Sequence, residues 1–261
     1  LFAGRFISVV SGVMASIGVY FATRELFGRK TAVWGTLLYI FSPFTLVYDR
    51  LALMDSLLAT FGIWSLYLEI LLVRRLRLDV SLLLGFTIGF GLLTKSSALF
   101  YLYLIAVSLL FFDFRTKKRM RNFFKWVGLV LVSSVISLAM YNSLRLSPWF
   151  YIIEQKNYSF ILTPSEFLQK PFSLFIPNLN GLVPMLFTYL TPSITLVVIV
   201  GVLWGILRKE IRIIYLFIWF LFPFLALAAF GKVIFPRFLL FMTNPLFLIA
   251  AFLLRHITEF M

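Results

Sequence analysis

The sequence predicts an all-α, polytopic transmembrane bundle of about nine spans, and three observations predict it. Hydrophobic residues make up 62% of the 261 positions and charged residues only 13%, with a mean hydropathy of +1.00. A soluble domain mixes apolar and polar residues far more evenly. Apolar runs of roughly 17 to 25 residues, long enough to cross a bilayer, follow one another with short basic breaks between them. Lys and Arg collect in alternate breaks, as they do when a chain crosses a membrane repeatedly. Positions 1–261 are therefore read as a single transmembrane domain.

The first run, Phe6 to Phe21, carries Ser8-x3-Gly12-x3-Ser16, a small-residue stripe that lets a neighbouring backbone approach closely. The second, Thr31 to Val47, follows Arg29 and Lys30 and contains Pro43, which lacks a backbone donor and should open the helix. The third, Leu51 to Val73, stops at Arg74, Arg75 and Arg77. The fourth and fifth, Val80 to Leu93 and Ser97 to Phe112, flank Lys95. An unbroken helix of about 35 residues there would measure about 52 Å, too long for one span, so the chain must turn near Lys95. The sixth, Phe123 to Tyr141, follows the basic run RTKKRMR. After a long connection come Thr188 to Leu207 with Gly201-x3-Gly205, Ile213 to Phe230 with Pro223, and Phe238 to Leu254 with Pro245. Gly85-x3-Gly89 marks a further close approach in the fourth run.

With the N-terminus outside, 16 of the 24 basic residues fall on one face, which the positive-inside rule assigns to the cytoplasm together with the C-terminus. Trp34, Trp126 and Trp204 fall near the helix ends on that same side. This asymmetry accounts for most of the net charge of +14 and argues for anionic lipid rather than nucleic acid as the basic partner. Absence of cysteine excludes disulfides and thiol chemistry, and the single histidine, His256, reads as an interfacial side chain rather than a metal ligand. The chain begins at Leu1 without the basic region or cleavage site of a signal peptide and reads as a fragment.

The connection Ser143 to Thr188 holds five of the ten prolines and nine aromatic residues, which argue for a partly helical layer lying on the outer membrane surface. Asn157-Tyr158-Ser159 within it fits a glycosylation tripeptide, a pattern common by chance.

Charge inside the apolar runs points to a site. Asp55 is read as the acid within the third span, about five residues into it, with Asp49 as that helix's N-cap. On one helix Arg50 and Asp55 would stand about 140° apart, so Asp55 needs a partner from elsewhere. Lys95, and Lys232 and Arg237 in GKVIFPRFLL, lie in other outer links. Arg50, Lys95, Lys232 and Arg237 around Asp55 suggest an outward-facing anion site, for which a phosphate is the natural occupant. A structural salt bridge is the alternative.

Three blocks carry a resemblance: RFISVVSGVMASIGVYFATRELFGRKTAVWGTLLYIFSPFTLVYDRLALMDSLLATF, GFTIGFGLLTKSSALF and KVIFPRFLLFMTNPLFLIAAF. In these the chain resembles the GT-C superfamily of lipid-carrier-dependent glycosyltransferases, in the branch of protein O-mannosyltransferases and the lipid A aminoarabinose transferase. The resemblance implies a GT-C-like fold, an inverting glycosyltransferase, and a polyprenyl-phosphate-linked sugar as donor. It implies membrane lipids as surroundings, and a protein, lipid or glycan as acceptor. It places Asp55 as a supporting catalytic acid in an R-x4-D pattern and Arg50, Lys95, Lys232 and Arg237 as candidate contacts to the lipid phosphate. The family's principal acid belongs to a first external loop that this chain lacks, and relatives continue beyond Leu254, so truncation at both ends is expected. No cofactor is certain, no metal ligand is assigned, and metal need stays open. A bacterial or archaeal cytoplasmic membrane is the expected location, or the endoplasmic reticulum in a eukaryote, with the site facing outside. A multi-spanning transporter and a nonenzymatic assembly subunit remain as alternatives.

Overall fold

The computed structural model describes residues 2–260, and these are helical apart from turns, links and one isolated β-bridge between Ile161 and Gly231. Helix α1 (Phe2–Phe27) buries Ser8, Ser11, Gly12, Ala15, Gly18 and Ala22. Ser16 instead turns away and donates to its own helix at Val13 O. After a turn at Gly28, α2 (Arg29–Phe41) runs back along α1. It breaks at Ser42, because Pro43 can neither donate nor follow an α-helical residue comfortably, and α3 (Pro43–Tyr48) restarts with that proline in its first turn. The second predicted span is thus two helices.

A short turn leads into α4 (Asp55–Arg75), which runs parallel to α1: Thr60 donates to Ser11 O, Trp64 to Met14 O, and Arg74 pairs with Glu25 at 2.8 Å. Leu76 ends α4 in the left-handed region with φ 48°. Helix α5 (Leu78–Thr94) returns and packs on α7 through Gly85, Gly89 and a Ser81–Ser133 hydroxyl pair. Between them the chain turns at an extended Lys95, then descends through a 3₁₀ turn (Ser96–Ala98), α6 (Leu99–Leu104) and a 3₁₀ stretch (Ile105–Phe111) before α7 (Arg119–Asn142).

The long connection contains α8 (Phe150–Phe160), α9 (Pro164–Gln169) and most of α10 (Phe175–Leu190). Thr163 and Glu166 form a capping box at the start of α9. The first turn of α10 meets the end of α12 (Ile211–Phe230), where Asn178 donates to Ala228 O and Gly231 O. Its last turn packs Tyr189 on Phe44 and Tyr48. Both ends of α10 therefore lie at the Asp55 end of the bundle, and the helix crosses its mouth. A bend of 109° then sends α11 (Pro192–Leu207) toward the opposite end. The seventh predicted run, drawn from Thr188, thus starts at Pro192, because Thr191 adopts φ 70° and interrupts the helix. Helix α12 is followed by a 3₁₀ turn (Pro236–Leu239) and α13 (Leu240–Phe260).

Helices α4 and α13 are the most buried and form the centre of the bundle, whereas α7 leaves most of its apolar surface open to the bilayer. Among the described residues, five helices are long and apolar enough to cross a membrane, six if the bent α10–α11 pair is one span. Helix α5 and the 96–111 stretch are apolar but shorter.

Gly12 is a point of close approach: a Cβ there would lie 2.5 Å from Asp49 Oδ2 and 2.9 Å from its Cβ. Gly12→Ala should therefore push the α3–α4 turn outward and destabilise the fold by about 1–3 kcal/mol, measured by denaturation in detergent. A Gly12→Ala protein as stable as the parent would show that the turn yields freely.

Candidate functional site

Asp55 is the first residue of α4, not a residue about five positions into the helix, so its carboxylate meets the positive end of a helix dipole. The side chain is 4% exposed and accepts from Lys95 Nζ at 2.8 Å. The extended Lys95 lets the α5 helix end and aims its side chain across to α4. The same ammonium lies 4.3 Å from the centre of the Phe238 ring.

Arg237 shares that ring. Its guanidinium lies 5.6 Å from Phe238 and 5.0 Å from Phe235, and its buried Nε has no hydrogen-bond partner among the described residues. Tyr48 stands within electrostatic reach of both Asp55 and Arg237 and belongs to an aromatic cluster with Phe44 and Tyr189. Two cations and two phenols thus converge at one mouth, with one acid for one cation. A buried N–H without an acceptor is costly, and an anion is what this set can receive.

The α8–α9 layer covers this mouth. Ser96, next to Lys95, donates to Asn157 Oδ1 at 3.0 Å, and Phe160 packs on Phe238 with ring centres 6.2 Å apart. Asn157 is therefore half-buried against the site rather than freely displayed for modification.

Three expectations need correction. Asp49 does not cap α4: it ends α3, where it accepts from the Tyr39 hydroxyl at 3.0 Å. Arg50 is not on a helix with Asp55; it is exposed in the turn and makes no ion pair among the described residues. Lys232 is engaged with the covering layer, donating to Glu166 at 2.8 Å and Tyr158 O at 3.1 Å, so it clamps that layer.

That clamp is pH-dependent. The Lys232 ammonium, with the Thr163 backbone N–H and hydroxyl, holds the Glu166 carboxyl down to about 2 from its ordinary 4.5. Because the folded value is depressed, the stabilisation is fully present above about pH 4.5 and is lost as pH falls toward 2. Amide exchange at Leu162 and Lys232 should accelerate over that window, and Glu166→Gln should accelerate it already at neutral pH. Exchange unchanged in Glu166→Gln would count against the clamp.

Sequence reasoning also missed Glu69. It is fully buried in α4, about 21 Å along the helix from Asp55. Tyr215 and Trp219 both donate to its Oε2 at 3.2 Å. It lies inside the predicted third span, Leu51 to Val73, where an acid in an apolar run is itself the signal that could have found it. Among the described residues no cluster of three or more His, Asp or Glu is arranged to hold a metal.

The model of the dolichyl-phosphate-mannose-protein mannosyltransferase family matches residues 1–141, just over half of the chain. The chain belongs to that family. No curated protein matches it in sequence. For this mannosyltransferase-family chain, solved structures extend the likeness to nearly its full length. The archaeal oligosaccharyltransferase AglB from Archaeoglobus fulgidus, solved with an inhibitory peptide and a dolichol-phosphate, aligns with a TM-score of 0.62 at 16% identity, over 98% of this chain and 39% of that one. ArnT from Cupriavidus metallidurans bound to undecaprenyl phosphate aligns with a TM-score of 0.61 at 18% identity, over 97% and 46%. The same oligosaccharyltransferase complexed with zinc and sulfate gives 0.59 at 18%, over 98% and 37%. At these identities the likeness concerns the fold, which is GT-C-like. This family member spans less than half the length of these solved structures.

Proposed function

We propose that the full-length protein is a glycosyltransferase that takes a sugar from a polyprenyl-phosphate carrier and passes it to an acceptor on the extracytoplasmic side. The single observation that carries this reading is the partnerless, buried Nε of Arg237 beside Lys95 at the covered mouth. Family membership supports it, as do the lipid phosphates bound by the two structural relatives. Arg237 and Lys95 would hold the phosphate that leaves when the acceptor attacks the sugar's anomeric carbon. Negative charge grows on that phosphate as the bond to carbon breaks, and a planar guanidinium and an ammonium already in place stabilise it without reorganising. Attack opposite the leaving phosphate inverts the anomeric centre.

Asp55 has a different part from the supporting acid first assigned to it. Its carboxylate is engaged with Lys95, so it sets the ammonium's position and is not free to take the acceptor's proton. Arg50 and Lys232 carry no part in phosphate binding here. In this reading the Asp55 end faces outside and the ends bearing Arg24, Arg74, Arg75, Arg208 and Lys209 face the cytoplasm, in keeping with the positive-inside rule. The membrane is the cytoplasmic membrane of a prokaryote, or the endoplasmic reticulum of a eukaryote.

The test is transfer from radiolabelled polyprenyl-phosphate sugars in membranes holding the full-length protein. Label reaching an acceptor, with release of polyprenyl phosphate, is the expected result. Uptake of a solute into proteoliposomes without any transfer would replace this reading with a transporter.

A further inference from the structure

At the end of the bundle opposite Asp55 the helices enclose an open cavity of about 310 Å³, lined among others by Arg29, Lys30, Arg212, Arg255, Phe27 and Phe252. We propose that this cavity binds the phosphodiester headgroup of an anionic membrane lipid. The proposal is independent of the sugar-transfer reading, since none of these residues belongs to the Asp55 mouth.

The cations come from three places distant in sequence: the α1–α2 turn, the start of α12 and the end of α13. Arg212 is already committed, bonding Glu210 at 2.6 Å through Nε and Leu26 O at 3.0 Å, and so ties α12 to the end of α1 as the cavity's scaffold. Arg29 and Lys30 are exposed and stand in the first turn of α2. Gly28 at the N-cap has no side chain to satisfy the N–H groups of that turn, which adds donors to the two charges. A phosphate would be met by charge and by backbone together.

Two features favour a lipid over a soluble anion. The floor is apolar, formed by Phe27 and Phe252 with ring centres 4.7 Å apart. Around the same helix ends, Leu207, Ile211 and Ile257 are exposed at 82%, 48% and 44%, where acyl chains can lie against them. A headgroup held by the cavity places its chains on apolar side chains at the bilayer boundary. Basic pockets between transmembrane helices bind lipid phosphates in this way.

The experiment uses the whole chain purified in detergent, with bound lipid counted by native mass spectrometry. Probes are phosphatidylglycerol, phosphatidylcholine and inorganic phosphate. Phosphatidylglycerol should be retained saturably and about tenfold more tightly than phosphatidylcholine, with inorganic phosphate a much weaker competitor. The double variant Arg29→Gln/Lys30→Gln should lose about tenfold in phosphatidylglycerol affinity. Arg29→Lys/Lys30→Arg should keep it, as should Lys117→Gln/Lys118→Gln in the basic run outside the cavity. Both altered residues are exposed, so an unchanged melting temperature without lipid should accompany the loss. Equal retention of the two lipids would overturn the proposal, as would an equal loss in the Lys117/Lys118 control. Inorganic phosphate competing as well as the lipid would make this a soluble-anion site and overturn the lipid assignment.

Discussion

Replacing Arg237 by lysine in the full-length protein lowers sugar transfer about a hundredfold or more while leaving the fold in place. Lysine keeps the positive charge and the packing on Phe235 and Phe238, but it loses the planar fork and with it the Nε donor that no group among the described residues accepts. If that donor exists for the leaving phosphate, turnover falls while donor binding, supported by charge alone, changes much less. Turnover with labelled lipid-linked sugar and a melting curve on the same preparation check the two halves of this expectation. Unaltered turnover in Arg237→Lys would remove Arg237 from the phosphate site. A fall in melting temperature matching the loss of turnover would make its part structural instead.

Breaking the Asp55–Lys95 pair has the largest expected effect on stability. Asp55→Ala leaves a lysine without its counter-ion among apolar groups and costs about 3–5 kcal/mol, the range for removing one member of a buried pair. Lys95→Ala strands the more deeply buried partner, Asp55, whose side chain is 4% exposed against 23% for Lys95. The double replacement Asp55→Asn/Lys95→Gln removes both charges together and costs less than the two single changes combined. Denaturation in detergent of the four proteins closes the cycle. Strict additivity would show that the 2.8 Å contact carries no coupling and that each charge is satisfied by something else.

How much of this was legible in the sequence depended on the range of the interaction. Lys95 stood out because two apolar runs around it were too long together for one crossing, and that is a local argument. Arg237 stood out in the same way, as a cation in a brief apolar link. Pro43 marked its own helix break. Other features were set by contacts between distant segments. Asp49 precedes the third run and looks like a cap, yet the turn through 50–54 delays α4 to Asp55, and the Tyr39 hydroxyl on another helix takes Asp49 instead. Lys232 looked available because its partner, Glu166, lies 66 positions away in a segment read only as a covering layer. Helix α10 is apolar like its neighbours, and only its contacts at both ends show that it lies across the mouth. Apolar composition reports the solvent a helix prefers and says little about its direction.

The attachment of the α8–α9 layer has a mechanical meaning. Leu162 N–H donates to Phe230 O and Lys232 N–H to Phe160 O, both at 2.8 Å, and the Glu166–Lys232 pair adds a side-chain tie within the same few residues. These ties grip the link between α12 and α13 on its α12 side, and Arg237 follows five residues later on that link. The layer is therefore fastened to the same link that carries Arg237, so the cover over the mouth and the guanidinium beneath it share one attachment.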